Sequence, residues 1–299
     1  MAKGLSRYLK PEVVSGLKGI DLKARLIVEG FIAGLHKSPY RGRSVEFADF
    51  RTYNPGDDLG SIDWKVYART DRYYIKEYEE RTNLRAYLLI DISNSMSFGL
   101  RITKFDYAAC LAASMVYLLI KQRDSVGIGL FAETLEAIIP PSGGDYQLKL
   151  ILDLLDRTRP EKKTSVAGAI GEIAARIKRR GMVIIFSDLF DDPEETMRSI
   201  ALLRTMKNEV IVFMILDPEE KKFTFKTPGR FHDLETRKEL LIDPKIVRQD
   251  YQKRIETFIR RYRDGFLNHD VDFHLVTTDT GFDRGLLHFL EKRRRVWIF

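Results

Sequence analysis

Leu88-Leu89-Ile90-Asp91-Ile92-Ser93-Asn94-Ser95-Met96 is the stretch on which the reading of this chain turns. The apolar run Tyr87 to Ile90 has the make-up of a buried strand, and it leads directly into a carboxylate, Asp91, and two hydroxyls, Ser93 and Ser95. In an open α/β sheet, ligands bind in the crevice beyond the carboxyl ends of the strands. Three hard oxygen donors at such an end suit Mg²⁺. Alone, the pattern is also that of an ordinary capped turn, because Asp, Ser and Asn bond readily to nearby backbone. Residues distant in sequence have to supply the rest of a site.

Working outward, apolar residues recur at helical spacing from Ile20 to Leu35. The segment His36 to Asp71 is rich in Gly, Pro, Arg and Asp, which is turn chemistry over a length that points to an ordered functional or packing segment. Tyr73 to Glu80 reads as a partly exposed strand and Leu84 to Ile90 as the central one. Beyond them the periodicity alternates. Helices are expected at Thr103–Lys121, Tyr146–Asp156, Val166–Arg180, Pro193–Met206, Pro244–Phe266 and Phe282–Arg294. Strands are expected at Val126–Phe131, Leu135–Ile139, Met182–Phe186, Val210–Leu216 and Val271–Val276. This alternation predicts an α/β fold, a doubly wound and mostly parallel sheet covered on both faces. The expected division is an amino-terminal extension over residues 1–82 and the α/β domain over residues 83–299.

The bulk properties narrow the class. Of 299 residues, 44% are apolar, ample for a large core, and 50 Lys and Arg stand against 43 Asp and Glu. That mild, interspersed basic excess is not the concentrated charge of a dedicated nucleic-acid protein. The lone cysteine, Cys110, excludes an internal disulfide. No signal peptide is read in Met1 to Pro11, and the apolar-rich stretch Ala108 to Ile120 is shorter than the roughly 20 residues a spanning helix needs. The expectation is a cytoplasmic protein.

Two further strand or helix ends offer partners to Asp91. The strand Met182 to Phe186 runs into Ser187-Asp188, and the helix at Val166 is preceded by Thr164 and Ser165. Asp91, Ser93 and Ser95, with Thr164 and Asp188, resemble the metal-ion-dependent adhesion site of von Willebrand factor A-type domains. That resemblance implies one divalent cation, usually Mg²⁺, with Mn²⁺ or Ca²⁺ as alternatives. The serines and threonine would ligate directly or through water while the aspartates support them. Neutral hydroxyls leave the ion electrophilic, so an open position suits a partner's carboxylate. Lys163 stands where many such domains have glycine.

The block before the strand narrows the likeness. Gly34-Leu35-His36-Lys37-Ser38-Pro39, Glu46-Phe47-Ala48-Asp49-Phe50-Arg51, Tyr53-Asn54-Pro55-Gly56-Asp57-Asp58 and Ile62-Asp63-Trp64-Lys65 resemble the signature of the bacterial and archaeal domain-of-unknown-function family number fifty-eight. Its members often accompany MoxR-type AAA+ ATPases. The resemblance implies a metal-dependent protein-binding module, an adaptor or co-chaperone of such an ATPase, rather than an enzyme. Its partner would be the ATPase or a client protein offering an acidic residue.

Competing motifs are weaker. Gly127-Ile128-Gly129-Leu130-Phe131-Ala132 fits the spacing of a dinucleotide fingerprint, but the glycines lie inside a strand rather than between a strand and a helix. No Walker A sequence is present. A metal-dependent hydrolase or phosphatase would use Asp91 as nucleophile, yet Asp-x-Ser is not the Asp-x-Asp such chemistry favours. Lys253, Arg254, Arg260 and Arg261, with Arg176 to Arg180 and Lys292 to Arg295, offer a basic surface for nucleic acid. The plainer account is a solvated helix face. His36, His232, His269, His274 and His288 show no metal-ligand spacing.

Overall fold

The structure is a computed structural model and describes residues 10–37, 51–52, 74–75, 84–161, 165–232 and 239–296. In chain order these form helices α1 (Pro11–Ser15) and α2 (Ile20–Lys37), short strands β1 (Arg51–Thr52) and β2 (Tyr74–Ile75), and then β3 (Arg85–Asp91). A 3-10 turn over Asn94–Ser97 leads to α3 (Lys104–Lys121), β4 (Ser125–Phe131), β5 (Leu135–Ser142) and α4 (Asp145–Arg157). There follow α5 (Val166–Arg176), β6 (Met182–Ser187), α6 (Pro193–Thr205), β7 (Glu209–Leu216) and α7 (Pro218–Lys222). The last elements are β8 (Gly229–His232), β9 (Glu239–Ile242), α8 (Pro244–Asn268), β10 (Asp272–Thr277) and α9 (Phe282–Val296).

The chain divides into two units, one of Met1–Gly34 and Leu84–Phe299, the other of Leu35–Asn83. In the smaller unit, Arg51 pairs with Ile75 and Thr52 with Tyr74 in antiparallel register. Most of the signature block (38–50 and 53–70) and the rest of the expected strand at Tyr73–Glu80 lie outside the described residues.

In the larger unit, six strands line up as β10-β7-β6-β3-β4-β5. β5 is antiparallel to β4, and every other pair is parallel. The chain steps from β3 outward to β4 and β5, then returns past β3 to build β6, β7 and β10. This is the expected doubly wound sheet, and the reversal of strand order at β3 puts a crevice at its carboxyl end. Side chains alternate across a strand, and β3 has apolar residues on both faces. Ala86, Leu88 and Ile90 join a cluster with α3, and Tyr87 and Leu89 join one built from α5, α6 and α8. Each such fully buried Leu or Ile contributes about 1.5–3 kcal/mol. In α3 only Asp106, Tyr117 and Lys121 escape full burial. Val14, Ile20, Ala24, Ile27, Val28 and Phe31 of the first two helices pack into that same cluster.

Two boundaries of the sheet and its covering helices differ from expectation by more than two residues. β5 continues through Pro140 and Pro141, which an edge strand tolerates because proline costs it no interior ladder bond. α5 stops at Arg176 rather than Arg180. Ile177 turns extended (ψ 97°) and is buried, and Gly181 is then held by the Asn208 side chain (2.9 Å) at the entry to β6. Between β7 and α8, where no element was expected, the chain forms α7 and the β8–β9 hairpin.

Gly127 shows why the glycine pair in β4 is a packing device. A Cβ there would lie 2.7 Å from the Ile139 carbonyl oxygen and 2.8 Å from the Pro141 nitrogen, backbone atoms of the crossing β5 strand. Backbone gives way less easily than a flexible side chain, so Gly127→Ala is expected to cost about 1–3 kcal/mol. Urea unfolding of the variant reads it, and an unchanged midpoint contradicts this account of the strand crossing.

On the α3 side of the sheet, register lines up an aromatic row. Phe186 is opposite Phe213, and Phe213 is opposite His274. Phe186 and Phe213 stack at 5.3 Å, His274 lies tilted against Phe213 at 5.5 Å, and His288 of α9 stacks on His274 at 4.1 Å. Burial, then the neighbouring His288, pull the His274 imidazole down to about 4 against its ordinary 6.5. The unfolded chain therefore binds a proton more readily between those values, so this contribution is complete above pH 6.5 and is lost as pH falls toward 4. With partial solvent contact, the loss between pH 7 and pH 4.5 should amount to about 1–2 kcal/mol. His274→Phe keeps the stack without the proton, so unfolding at pH 7 and pH 4.5 should show wild type losing that much more than the variant. Equal losses contradict the assignment.

Candidate functional site

The crevice at β3 is built by register. Ile90 pairs with Phe186, and one step further Asp91 meets Ser187, whose hydroxyl donates to Asp91 Oδ2 at 2.6 Å. Asp91 Oδ1 accepts the Ser93 amide at 2.8 Å. The Ile92 amide bonds the Phe131 carbonyl at the end of β4 (2.8 Å), and wholly buried Met96 anchors the turn that follows. The Ser93 and Ser95 hydroxyls then lie 3.0 Å apart, Ser93 buried and Ser95 partly open. Asp91, Ser93 and Ser95 are thus one cluster.

Asp188 follows β6 at the same edge and is wholly buried. Its Oδ1 accepts the Phe190 amide at 3.2 Å, and its Oδ2 accepts the Lys104 ammonium at 2.7 Å. The next residue, Leu189, takes a left-handed backbone (φ 57°), a strained choice for a non-glycine. Its amide donates to Ser187 Oγ (2.9 Å), and its carbonyl accepts the Tyr262 hydroxyl (3.0 Å). These bonds hold the loop in place. Such strain clusters at ligand-binding loops.

Thr164 and Lys163 lie outside the described residues. Just after them, the Ser165 amide bonds the Ala132 carbonyl (3.2 Å), and the Val166 amide donates to Asp191 Oδ2 (2.8 Å). Asp191 therefore caps α5 from the β6 loop, while the Ser165 side chain makes no cap bond. Asp192 caps α6 by accepting the Glu195 amide.

Sequence reasoning did not bring Lys104 or Glu220 to this neighbourhood, and it gave Ser187 and Asp191 no part in it. Lys104 is the first residue of α3 and wholly buried. Besides Asp188, its ammonium donates to Glu220 Oε1 at 2.6 Å and lies 4.8 Å from the Phe190 ring centroid. A lysine heading an otherwise apolar helix was the signal available in the sequence.

Electrostatics follow from burial. Burial, then the neighbouring Asp188 carboxylate, push the Asp91 carboxyl up to about 7, against the hydrogen bonds from Ser187 and Ser93. Burial draws the Lys104 ammonium down, but Asp188 and Glu220 outweigh it and the net direction is up. Burial raises Glu220 despite Lys104 beside it. Asp188 and Glu220 thus share one ammonium, while Asp91 is held by the Ser187 hydroxyl and the Ser93 amide, and a cation beside it would offset its repulsion with Asp188. Among the described residues no three His, Cys, Asp or Glu side chains form a metal-holding cluster. The donors here are instead two hydroxyls backed by carboxylates, a hard-oxygen set whose chemistry fits Mg²⁺.

A family model described as "Protein of unknown function DUF58" matches residues 49–258. The chain belongs to that family. Uncharacterized proteins of Mycobacterium bovis and Mycobacterium tuberculosis are each 27% identical over 253 residues, covering 81% of this DUF58 chain and 78% of the relative. The uncharacterized protein YeaD of Bacillus subtilis is 28% identical over 105 residues, covering 35% of this chain and 24% of that one. Among solved structures, BatB of Bacteroides thetaiotaomicron aligns with a TM-score of 0.48 at 16% identity, over 71% of this chain and 99% of that one. The SpRpn10 VWA domain aligns with a TM-score of 0.41 at 8% identity, over 70% and 95%. Among the described residues no helix is long and apolar enough to cross a membrane.

Proposed function

We propose that this DUF58 chain is a divalent-cation-dependent protein-binding module. The observation that carries the reading is the pair of touching hydroxyls, Ser93 and Ser95, set over Asp91 and beside Asp188 at the β3–β6 crevice. Ser93 and Ser95 would hold Mg²⁺ (or Mn²⁺ or Ca²⁺), with Asp91 and Asp188 behind them. Thr164 joins the set through the sequence resemblance alone. The bound ion would supply an electrophilic position able to accept a carboxylate from a partner. The partner class, a MoxR-type AAA+ ATPase or an acidic client of one, also rests on the resemblance of the Gly34 to Thr70 block.

A hydrolase reading is less well supported. Asp91 would have to act as nucleophile, yet it is wholly buried and each of its oxygens accepts a short hydrogen bond. That is the setting of a supporting group. Nucleic-acid binding through the basic helices is weakened by pairing. Arg261 meets Glu194, Arg204 meets Asp270 and Glu209, Lys292 meets Glu209 and Asp272, and Arg176 meets Glu172.

Capture from cell extract on the immobilised chain tests the role, run in Mg²⁺ and in EDTA, with wild type and Ser93→Ala. The expected result is a set of proteins retained by wild type in Mg²⁺ and lost with chelator or with the variant. The same proteins retained under all conditions contradict the metal bridge.

A further inference from the structure

Lys104 stands outside the oxygen donor set, yet it is bound to it. Its ammonium is wholly buried and donates to Asp188 Oδ2 (2.7 Å) and Glu220 Oε1 (2.6 Å). Glu220 is itself fixed. Its Oε2 accepts the Asp217 amide (2.8 Å) in a capping box, and its carbonyl accepts the Tyr251 hydroxyl (2.7 Å). A lysine is almost never buried this fully unless paired. A hydrophobic side chain of similar volume would fill the space without bringing a charge out of water. The position therefore spends a buried positive charge on the carboxylate, Asp188, that backs the proposed ion.

We propose that Lys104 is a built-in cation that weakens the metal site and keeps its ion exchangeable. The inference rests on the reading of Asp91, Ser93, Ser95 and Asp188 as a metal site. With Lys104 in place, the negative charge of Asp188 is already matched, and the ammonium repels an incoming divalent ion. Glu220 acts in the opposite sense, offsetting part of the ammonium. Charge interactions across a few ångströms in a buried site are strong enough to move an ion's affinity by orders of magnitude. Lys104→Met, which keeps the length without the charge, should therefore tighten the site. Glu220→Gln, which keeps the shape and removes a negative charge, should loosen it. A purely structural role for Lys104 makes no such prediction of opposite signs, since losing either partner would then only disorder the site.

The test is isothermal titration of Mg²⁺, and separately Mn²⁺, into the full chain at pH 8. Wild type, Lys104→Met and Glu220→Gln are compared, with thermal melting alongside. The expected result is a Kd at least about tenfold lower for Lys104→Met and about tenfold higher for Glu220→Gln. The rise in melting temperature on adding Mg²⁺ should be larger for Lys104→Met than for wild type. Unchanged or weaker binding by Lys104→Met, with wild type binding normally, overturns the inference and leaves the metal site standing. No binding by wild type overturns the metal site itself, and the inference with it. If Lys104→Met does not fold, Lys104→Gln takes its place: tighter binding supports the inference, unchanged or weaker binding overturns it.

Discussion

In metal-free buffer, Lys104→Met should lower the stability of the protein by about 3–5 kcal/mol, the range seen when one partner of a buried ion pair is removed. The loss comes from what remains behind. Asp188 is wholly buried, and its second oxygen would keep no partner as strong as the ammonium it accepts at 2.7 Å. Glu220 would lose a 2.6 Å bond while its other oxygen stays tied to the Asp217 amide. Methionine has nearly the length of lysine without its charge, so the loss isolates charge rather than volume. The drop in melting temperature should be roughly 10 °C for a protein of this size. A loss under about 1 kcal/mol, the worth of an exposed pair, would mean that water reaches Lys104 and that the pairing is incidental.

Phe213→Ala should cost a similar amount, about 3–5 kcal/mol, for a different reason. Phe213 lies on β7 between Phe186 of β6 and His274 of β10, paired in register with both, and is wholly buried. Truncation removes a ring that stacks on Phe186 at 5.3 Å and meets His274 at 5.5 Å, and leaves a cavity under α3. Strands on both sides are fixed by their ladders, so the site cannot collapse to fill it. Phe213→Leu should recover more than half of the loss. Urea midpoints of the two variants measure this, and a loss near zero for alanine would place the core elsewhere.

The six-stranded sheet was legible because each of its strands carries its own signal, whereas the β8–β9 hairpin was not expected. β3, β6 and β7 are short apolar runs, and the helices between them repeat at helical spacing. Asp91 and Asp188 were legible as neighbours for the same reason: both follow a strand end, and parallel strands put those ends at one edge. The rest depends on tertiary register, which periodicity does not encode. Lys104 meets Asp188 across 84 positions and Glu220 across 116. Ser187 became a partner of Asp91 only once β3 and β6 aligned. Asp191 lies just before α6 in sequence, yet it caps α5. Leaving α5 at Arg176 follows from Ile177 being drawn into the core and from the Asn208 clamp on Gly181, neither of which a local helical pattern reveals.

Titration of Mg²⁺ into wild type, Asp91→Ala and Ser95→Ala tests the metal reading most directly. Ser95 is partly open, so its loss should leave the fold intact while removing a hydroxyl donor. Wild type should bind one ion with a saturable heat that Asp91→Ala abolishes and Ser95→Ala weakens about tenfold or more, the scale expected when a coordinating or supporting group is lost. No heat with wild type, or equal binding by Asp91→Ala, would contradict it.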